Sequence, residues 1–478
     1  MSLWVRLKIG FRFRKTIVMM ILMMLQSTVV FANSAPTYWQ GYPYSEVLLV
    51  DASSPVSIIN ETLRFDFNAP AKERHGFTPT AKVTAAYTMK NTSHSDKSVQ
   101  MAFSLVSSLS EFSVKDLTIE SDGNPVSYQI YPAMDEAEQA YDSDQKFHYG
   151  GLHISTAELE LPGIDLNQNA KLLRYQIKPV TGEDLRFEVS FKVDPQKTRL
   201  IGKNFNMASY TEGKGASIGA GVFGEQEQTV EILVLGEPST LKTEVLTQDG
   251  KEADPSDFRL EKEEISVAPR DYLMDHIRRE LGRDIRNAIE DTQLINLYLN
   301  RISNDGLVAG YSLLDEVLSV SHADRIITLL YTVEFPADTE KTVRVGYLTN
   351  GTMDRRETSM PRYLYTYLLS PAKHWQSFGK LELEIRTPQE APYLIESTLP
   401  LELQEERRYT AVLDGLPEQE LQFTLYNKEQ VTTLDKVQKS LDGLRYLPMI
   451  ISIIWPILLV ACLVIFILRR IKKAGNGN

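Results

Sequence analysis

Two glycine-containing patterns near the middle of the sequence match motifs that hold a nucleophile or a phosphate group. Residues 215–219 read GASIG, the pattern of a nucleophile elbow in which Ser217 would attack an acyl group. Residues 219–224 read GAGVFG, the glycine pattern of a dinucleotide site. Both motifs need a hydrophobic strand before them and a helix after them, whereas here a polar stretch precedes and a strand-like run follows. We therefore interpret residues 213–224 as a flexible glycine loop, and the sequence predicts no catalytic residue.

A second group of residues could bind a metal ion. His148 and His153 lie close to Asp142 and Asp144, and imidazole with carboxylate is a zinc-binding combination. The chain has no H-E-x-x-H pair, and the two aspartates lack the glycine and the terminal glutamate of a calcium loop. The sequence therefore predicts no metal site and no other cofactor.

Aromatic residues form two clusters that could stack on sugar rings or anchor a partner if they are exposed. The first cluster lies at the start of the exported chain and contains Tyr38, Trp39, Tyr42 and Tyr44. The second cluster lies near residue 365 and contains Tyr363, Tyr365, Tyr367 and Trp375. The three tyrosines of the second cluster alternate as one face of a strand would require. This spacing favours burial in a sheet over an exposed binding surface.

Period-two patterns predict that strands dominate the exported chain. In KVTAAYTMKNTSHSDKSVQMAFSLV, apolar residues alternate on both sides of the polar turn 91–96, so Val83, Ala85, Tyr87 and Met89 would share one face. Further runs follow, separated by turn residues: 112–119, 126–131, 154–161, 172–177, 185–193 and 229–235. Short strands at this spacing indicate antiparallel sandwiches rather than parallel βαβ units.

The middle of the chain has a helical pattern. Leu273, Ile277, Leu281 and Ile285 recur every four residues, Asp271 is a candidate N-cap, and Gly282 suggests two helices rather than one. A second β-rich region then contains LLYTVEFPADTEKTVRVGYLT, which aligns with the early hairpin at a constant offset of 244 residues. Such an offset would indicate two sandwiches of similar design, but alternating strands also resemble one another through their shared period.

Both ends of the chain carry apolar segments. Five cations precede the run 16–31, and small residues before Asn33 indicate a signal peptide cut between Ala32 and Asn33, with an uncleaved signal anchor as the alternative. The run 447–468 contains no charge and would span about 33 Å as a helix, enough for one membrane crossing. The stop-transfer cations Arg469, Arg470, Lys472 and Lys473 follow it and predict a cytoplasmic tail.

Composition limits the partners of the exported part. The formal net charge is −12, and the cations at both ends make the part between them more acidic still. An acidic body repels nucleic acids, so we expect none as a partner. The single cysteine, Cys462, lies in the C-terminal apolar run, so disulfides cannot stabilise the exported part and a large apolar core must do so.

Two segments resemble an uncharacterised family of exported bacterial proteins. They are AAYTMKNTSHSDKSVQMAFSL and YLLSPAKHWQSFGKLELEI, which are similar to an early hairpin and a later strand–loop–strand unit of that family. The family usually has Phe-Pro where this chain has Phe103 and Ser104. The resemblance implies an exported, β-rich fold and brings no activity or site residues.

The sequence as a whole predicts a mainly β protein with a helical insertion, built from two antiparallel β-sandwich domains and one C-terminal transmembrane helix. The segments that we expect are a signal peptide (1–32), a first sandwich-like domain (33–268), a helical segment (269–322), a second β-rich domain (323–440), the span (447–468) and the tail (469–478). We expect a single-pass, membrane-tethered binding or scaffold protein of the cell envelope without enzymatic activity, with the lipid bilayer and another envelope protein as partners. A subunit or sensor of a membrane complex, or an ectoenzyme with an unrecognised carboxylate site, are the alternatives.

Overall fold

The computed structural model describes residues 37–45, 47–50, 53–69, 77–134 and 157–442. Within these ranges, no helix combines the length and the apolar character that a membrane crossing requires. The predicted signal peptide, transmembrane run and tail lie outside the described residues, with the cleavage and stop-transfer residues Ala32, Asn33, Arg469, Arg470, Lys472 and Lys473.

The described chain is mainly β, as predicted, and its largest element is an eight-stranded sheet, which we call sheet I. In spatial order its strands are β25 (Glu402–Glu405), β26 (Arg408–Asp414), β23 (Phe378–Arg386), β4 (Val56–Asp66), β5 (Thr80–Asn91), β20 (Glu340–Asn350), β7 (Thr118–Ser121) and β8 (Asn124–Pro125). The pairs are antiparallel except for β23 and β4. The face predicted to be shared by Val83, Ala85, Tyr87 and Met89 of β5 is buried.

Two smaller sheets cover the buried face of sheet I. Sheet II contains β3 (Leu48–Leu49), β6 (Lys97–Ser107), β19 (Arg325–Phe335) and β9 (Tyr128–Pro132). Sheet III contains β1 (Tyr38–Trp39), β21 (Thr352–Asp354), β22 (Arg362–Leu368), β27 (Leu421–Tyr426) and β24 (Tyr393–Ser397), with β2 (Tyr44–Ser45) beside β22. Phe103 of β6 packs on Tyr347 of β20 with ring centroids 4.9 Å apart, and Phe65 of β4 packs on Phe423 of β27 at 5.2 Å. One apolar core therefore joins the three sheets.

The two similar hairpins of the sequence lie together in this part of the fold. The first hairpin consists of β5 and β6, and the second of β19 and β20. Each hairpin has one strand in sheet I and one in sheet II, because β5 pairs with β20 in sheet I and β6 pairs with β19 in sheet II. Their turns interlock through Asn91, whose buried side-chain nitrogen donates to the backbone oxygens of Ser95 (2.9 Å) and Phe335 (3.1 Å). The turns are thus held to each other by a buried amide.

This interlocking changes the expected domain organisation. Strands from the predicted first domain (33–268) and from the predicted second domain (323–440) pair directly in sheets I and II. A boundary at residue 268 or 323 would therefore cut through a shared core instead of separating two sandwiches. The alternation pattern could not show this, because it defines which face of a strand is buried but not which strand lies beside it.

Sheets IV and V, from residues 170–313, form a second layered unit with its own apolar core between the two sheets. Sheet IV contains β17 (Phe258–Val267), β10 (Ala170–Pro179), β15 (Gln228–Gly236), β12 (Thr198–Lys203) and β18 (Tyr311–Leu313). Sheet V contains β13 (Met207–Thr211), β14 (Gly215–Val222), β11 (Leu185–Phe191) and β16 (Leu241–Thr247). Tyr175 of β10 and Phe187 of β11 meet between the two sheets, with ring centroids 5.1 Å apart.

Helices connect the other face of sheet IV to the core of sheets I–III, because residues of all three belong to one buried cluster. They are α1 (Pro269–Glu280), α2 (Arg283–Ala288), α3 (Asp291–Ala309) and α4 (Leu314–Leu318), and α5 (Thr433–Asp442) ends the described chain. Short 3₁₀ turns occur at Val114–Asp116, Ser319–His322 and Ser370–His374. Leu273 and Ile277 of α1 belong to the same buried cluster as Leu172 and Leu233 of sheet IV.

The predicted helical segment is present, with one local difference. Gly282 separates α1 from α2, and the four-residue stripe of Leu273, Ile277, Leu281 and Ile285 is buried. Asp271 is not the N-cap, because α1 begins earlier, after Ala268, and has no side-chain cap. Pro269 in the first turn explains the earlier start, since its fixed φ is suited to a first helical position.

Candidate functional site

The structure places Ser217 in a regular strand rather than at a nucleophile elbow. β14 runs through residues 215–222, with Ala216, Ile218, Ala220 and Val222 buried on alternate positions. The interpretation of residues 213–224 as a flexible loop is therefore wrong, because residues 215–222 form a strand with glycine and serine at its outward positions. Gly213 and Gly224 lie in the turns that flank this strand. The Ser217 hydroxyl exchanges a hydrogen bond with the Ser209 hydroxyl at 2.9 Å.

The candidate metal ligands Asp142, Asp144, His148 and His153 lie outside the described residues. Across the part of the chain that the structure describes, no three His, Cys, Asp or Glu residues converge in a metal-binding arrangement.

The two aromatic clusters meet in sheet III. Tyr44 of β2 pairs with Tyr367 of β22, and β1 joins the same sheet through β21. Of the three alternating tyrosines, Tyr365 and Tyr367 are buried as predicted and Tyr363 is partly buried against the same core. Trp375 is also buried, and the Tyr365 hydroxyl donates to the Pro79 backbone oxygen at 2.6 Å. The aromatic residues of β22 are therefore core residues rather than a binding surface.

A cleft lies at one end of sheet IV, and we call it the sheet IV cleft. It has a volume of about 500 Å³ and is lined by residues 163–175, by the β15–β16 connection, by β17 and by Pro269. Leu173 and Tyr175 of β10 lie on the face of sheet IV that is turned toward sheet V, and Leu241 at the start of β16 lines the cleft opposite them.

Two glycines give the cleft a fixed shape. Gly163 and Gly236 both have positive φ (71° and 84°), which residues with a side chain adopt at a cost. A Cβ atom would come within 2.1 Å of the Gln196 backbone oxygen at Gly163, and within 2.0 Å of the Lys197 backbone oxygen at Gly236. Both walls are thus packed directly against the backbone of residues 196–197, and the cleft is formed before any ligand arrives.

A row of charges lines the β17 side of the cleft. Lys262 and Glu264 lie two residues apart on β17, opposite Tyr175 and Leu173 of β10, so their side chains share the cleft face. The Glu264 carboxylate accepts from Lys171 at 2.9 Å and from Lys262 at 3.0 Å. Contacts from Lys171 and Lys262 lower the pKa of Glu264, which is therefore ionised at neutral pH.

The end of the cleft is formed by a tight polar turn. Asp165 accepts hydrogen bonds from the Asn167 backbone nitrogen at 2.9 Å and from the Gln168 side chain at 3.0 Å. These bonds, from Asn167 first, lower the pKa of Asp165. In the wall opposite, the Ser239 hydroxyl oxygen is buried and has no hydrogen-bond partner among the described residues.

The opposite face of the same strands holds a polar cluster that joins sheet IV to α1. The carboxylate of Glu231, on β15, is buried. It accepts hydrogen bonds from the side chains of Arg174 (2.9 Å) and Lys203 (3.1 Å) and from the Tyr272 hydroxyl (2.9 Å). Although burial opposes ionisation, the bonds from these donors lower the pKa of Glu231. Burial also lowers the pKa of the neighbouring His276. The cluster fixes α1 to the strands that form the floor of the cleft.

Sequence reasoning missed the sheet IV cleft. Its walls come from four segments of the chain, and none of them carries a known motif. The detectable signal was local: Lys262 and Glu264 alternate on a strand, and two glycines follow apolar runs. Nothing in the sequence indicates that these features meet.

Comparisons with known proteins do not place the chain in a family. No protein-family model and no curated protein matches the sequence. Among solved structures, the chain is similar to a protein of Legionella pneumophila subsp. pneumophila str. Philadelphia 1 that is described provisionally as a nutrient binding protein. The match has 10% sequence identity and a TM-score of 0.33 and covers 85% of this chain and 76% of the other. At this TM-score the similarity supports no argument about ligand or fold.

Proposed function

We propose that this protein is a non-enzymatic binding protein of the cell envelope, and that the sheet IV cleft is its ligand site. One observation carries the proposal: a cleft of about 500 Å³ whose walls are fixed by glycines packed against backbone. Ligand sites typically have volumes of about 300–1,000 Å³ and are largely formed before binding.

The lining of the cleft supports binding rather than chemistry. Leu173 and Tyr175 are buried beneath the cleft and the partly buried Leu241 adds apolar surface, while Lys171 and Lys262 provide orienting polar groups. A catalytic acid or base needs a pKa close to the working pH. Contacts with its lysine partners instead lower the pKa of the Glu264 carboxylate, which suits an orienting role.

The cellular setting is part of the same proposal. The uncharged run 447–468 and the four cations after it would tether the protein, and the basic N-terminal segment with its apolar run would direct export. The two layered units, sheets I–III and sheets IV–V with their helices, would then stand outside the membrane as one acidic body. Tethering would keep the cleft close to the membrane surface.

The binding role is tested by purifying the full chain from its native membranes in mild detergent and identifying co-purified small molecules by mass spectrometry. Ser239→Phe places an aromatic ring inside the cleft, and Ser190→Phe makes the same change on the outer face of β11. We expect a compound that co-purifies with the parent chain and with Ser190→Phe but not with Ser239→Phe. The same compounds with all three chains, or none with any of them, would refute the cleft as a ligand site.

The tether is tested separately by protease treatment of intact cells. We expect digestion of the residues between the two apolar runs. Protection of that part, while a known surface protein is cut, would contradict the proposed orientation.

A further inference from the structure

We propose that α5 (Thr433–Asp442) is a membrane-surface helix, with Leu434 and Val437 inserted into the headgroup region of the lipid bilayer. This inference rests on the proposed tether and adds a lipid contact made by the folded part of the chain. It follows from the exposed face of α5, from the anchoring of its other face, and from its short separation from the run 447–468.

The exposed face of α5 is apolar. The side chains of Leu434 and Val437 are 69% and 52% exposed, and Leu434 is the most exposed of the described large apolar side chains. Positions three apart are neighbours on a helix, so the two side chains form one continuous apolar surface. Single exposed apolar residues are common, whereas an apolar pair on the outer face of a helix that also carries charges is typical of helices that lie on membranes.

The opposite face of α5 is fixed to the body of the protein. The Asp435 side chain is 1% exposed, and its carboxylate pairs with Lys428. It also accepts hydrogen bonds from the backbone nitrogen (2.9 Å) and the hydroxyl (2.8 Å) of Thr432. A rotation of about 100° per residue directs Asp435 away from both Leu434 and Val437. These bonds therefore hold the apolar pair on the outer side of the helix, and α5 cannot turn that pair toward the core without breaking them.

The chain keeps α5 close to the run that we propose to cross the membrane. Only residues 443–446 separate the end of α5 from the uncharged run that begins at residue 447. Five residue steps of at most about 3.6 Å limit this separation to about 18 Å. The lipid surface is thus permanently within reach of α5, and a helix on that surface buries its apolar face about 5–10 Å into the boundary between headgroups and acyl chains.

The size of the apolar surface favours lipid over a protein partner. A stable protein interface buries about 800 Å² on each partner, far more than two side chains can supply. A tethered helix needs no such area, because the proposed span already holds it at the bilayer. The proposal therefore commits to lipid as the partner of this face.

The test places an environment-sensitive fluorophore (NBD) on single cysteines of the full chain in phosphatidylcholine vesicles. Cys462, the one cysteine of the sequence, is labelled directly to test the tether. In a Cys462→Ser background, Leu434→Cys and Val437→Cys place the label on the apolar face of α5. Lys436→Cys is the matched control, because this exposed residue lies between them on another side of the helix. The vesicles carry a nitroxide lipid labelled either near the headgroup or near the end of the acyl chain, and iodide is the quencher in water.

We expect the shallow nitroxide to quench the labels at residues 434 and 437 at least about twofold more than the label at residue 436, because the apolar face of an interfacial helix lies at the boundary between headgroups and acyl chains. Iodide should quench these labels in the opposite order, and the label on Cys462 should respond most to the deep nitroxide.

The contradicting results separate the helix from the tether. Deep quenching of Cys462, with equal and weak lipid quenching at residues 434, 436 and 437, would overturn the surface helix and leave the tether intact. No lipid quenching of Cys462 would overturn the tether and this inference with it. Labels at residues 434 and 437 that are shielded from both iodide and nitroxide lipids would show that protein covers this face, which would also overturn the inference.

Discussion

Two buried arginines should respond in opposite ways to the same substitution. Arg199 of β12 and Arg325 of β19 are each 1% exposed. The Arg325 guanidinium donates to the backbone oxygens of Val320 (2.8 Å) and Ala133 (2.9 Å). The three guanidinium nitrogens of Arg199 have no hydrogen-bond partner in the described part of the chain, and burial lowers its pKa. We therefore expect Arg199→Met to stabilise the protein and Arg325→Met to destabilise it.

The magnitudes follow from what each substitution removes. Replacing buried ionic groups by well-packed apolar side chains of similar size is often neutral or adds about 1–4 kcal/mol of stability, and Arg199 has no hydrogen bond among the described residues to lose. At Arg325 the same change removes the donor from the buried Val320 carbonyl and from the half-buried Ala133 carbonyl. An unsatisfied buried carbonyl costs about 1–3 kcal/mol, so a loss of about 2–5 kcal/mol is expected. Arg199 lies beside apolar neighbours, since Leu235 is its partner on β15 and Ile201 shares its face.

The assay is denaturant unfolding of the full chain in detergent, followed by tryptophan fluorescence and circular dichroism. The two variants differ from the parent by one methionine each, so each serves as the matched control for the other. A loss of more than about 1 kcal/mol in Arg199→Met would show that this guanidinium has a stabilising partner and would refute the reasoning.

Three further predictions concern the turns, the cleft wall and the last helix. Asn91→Ala should lower the free energy of unfolding by about 2–4 kcal/mol in denaturant titration, because buried carbonyls lose their donor. Gly236→Ala should lower the thermal unfolding midpoint more than Gly182→Ala, because both have positive φ but only Gly236 would meet backbone, and equal effects would refute the close approach. The Asp435 carboxylate accepts a hydrogen bond from the Thr432 backbone nitrogen (2.9 Å), as in a capping box at the start of α5. Contacts with Lys428 and Thr432 lower the pKa of Asp435 to about 2. The folded pKa lies below the unfolded value near 4, so α5 should keep this stabilisation above about pH 4 and lose it as the pH falls through about 2, measured as residue-specific hydrogen exchange.

The sequence predicts the faces of the elements better than their neighbours. Tyr87 and Met89 are buried, and so is the stripe through Leu273 and Ile277, because side-chain periodicity is a local property of strands and helices. The pairing of β5 with β20 joins residues such as Tyr87 and Val343, which lie far apart in the chain, and no local pattern encodes it.

Small residues account for the other differences. In β14 the outward positions are glycine and serine, so the alternation with Ile218 and Val222 was hidden by a composition typical of loops. The cleft was missed for a related reason. Its shape depends on Gly163 and Gly236 contacting backbone that lies elsewhere in the fold, which only tertiary structure reveals.

The most direct test of the central claim is an experimental structure of the full chain purified from its native source, at a resolution that shows bound small molecules. We predict density for a bound organic compound in the sheet IV cleft, in contact with the residues that line it. A cleft containing only ordered water, with a co-purified ligand bound elsewhere on the protein, would contradict the account.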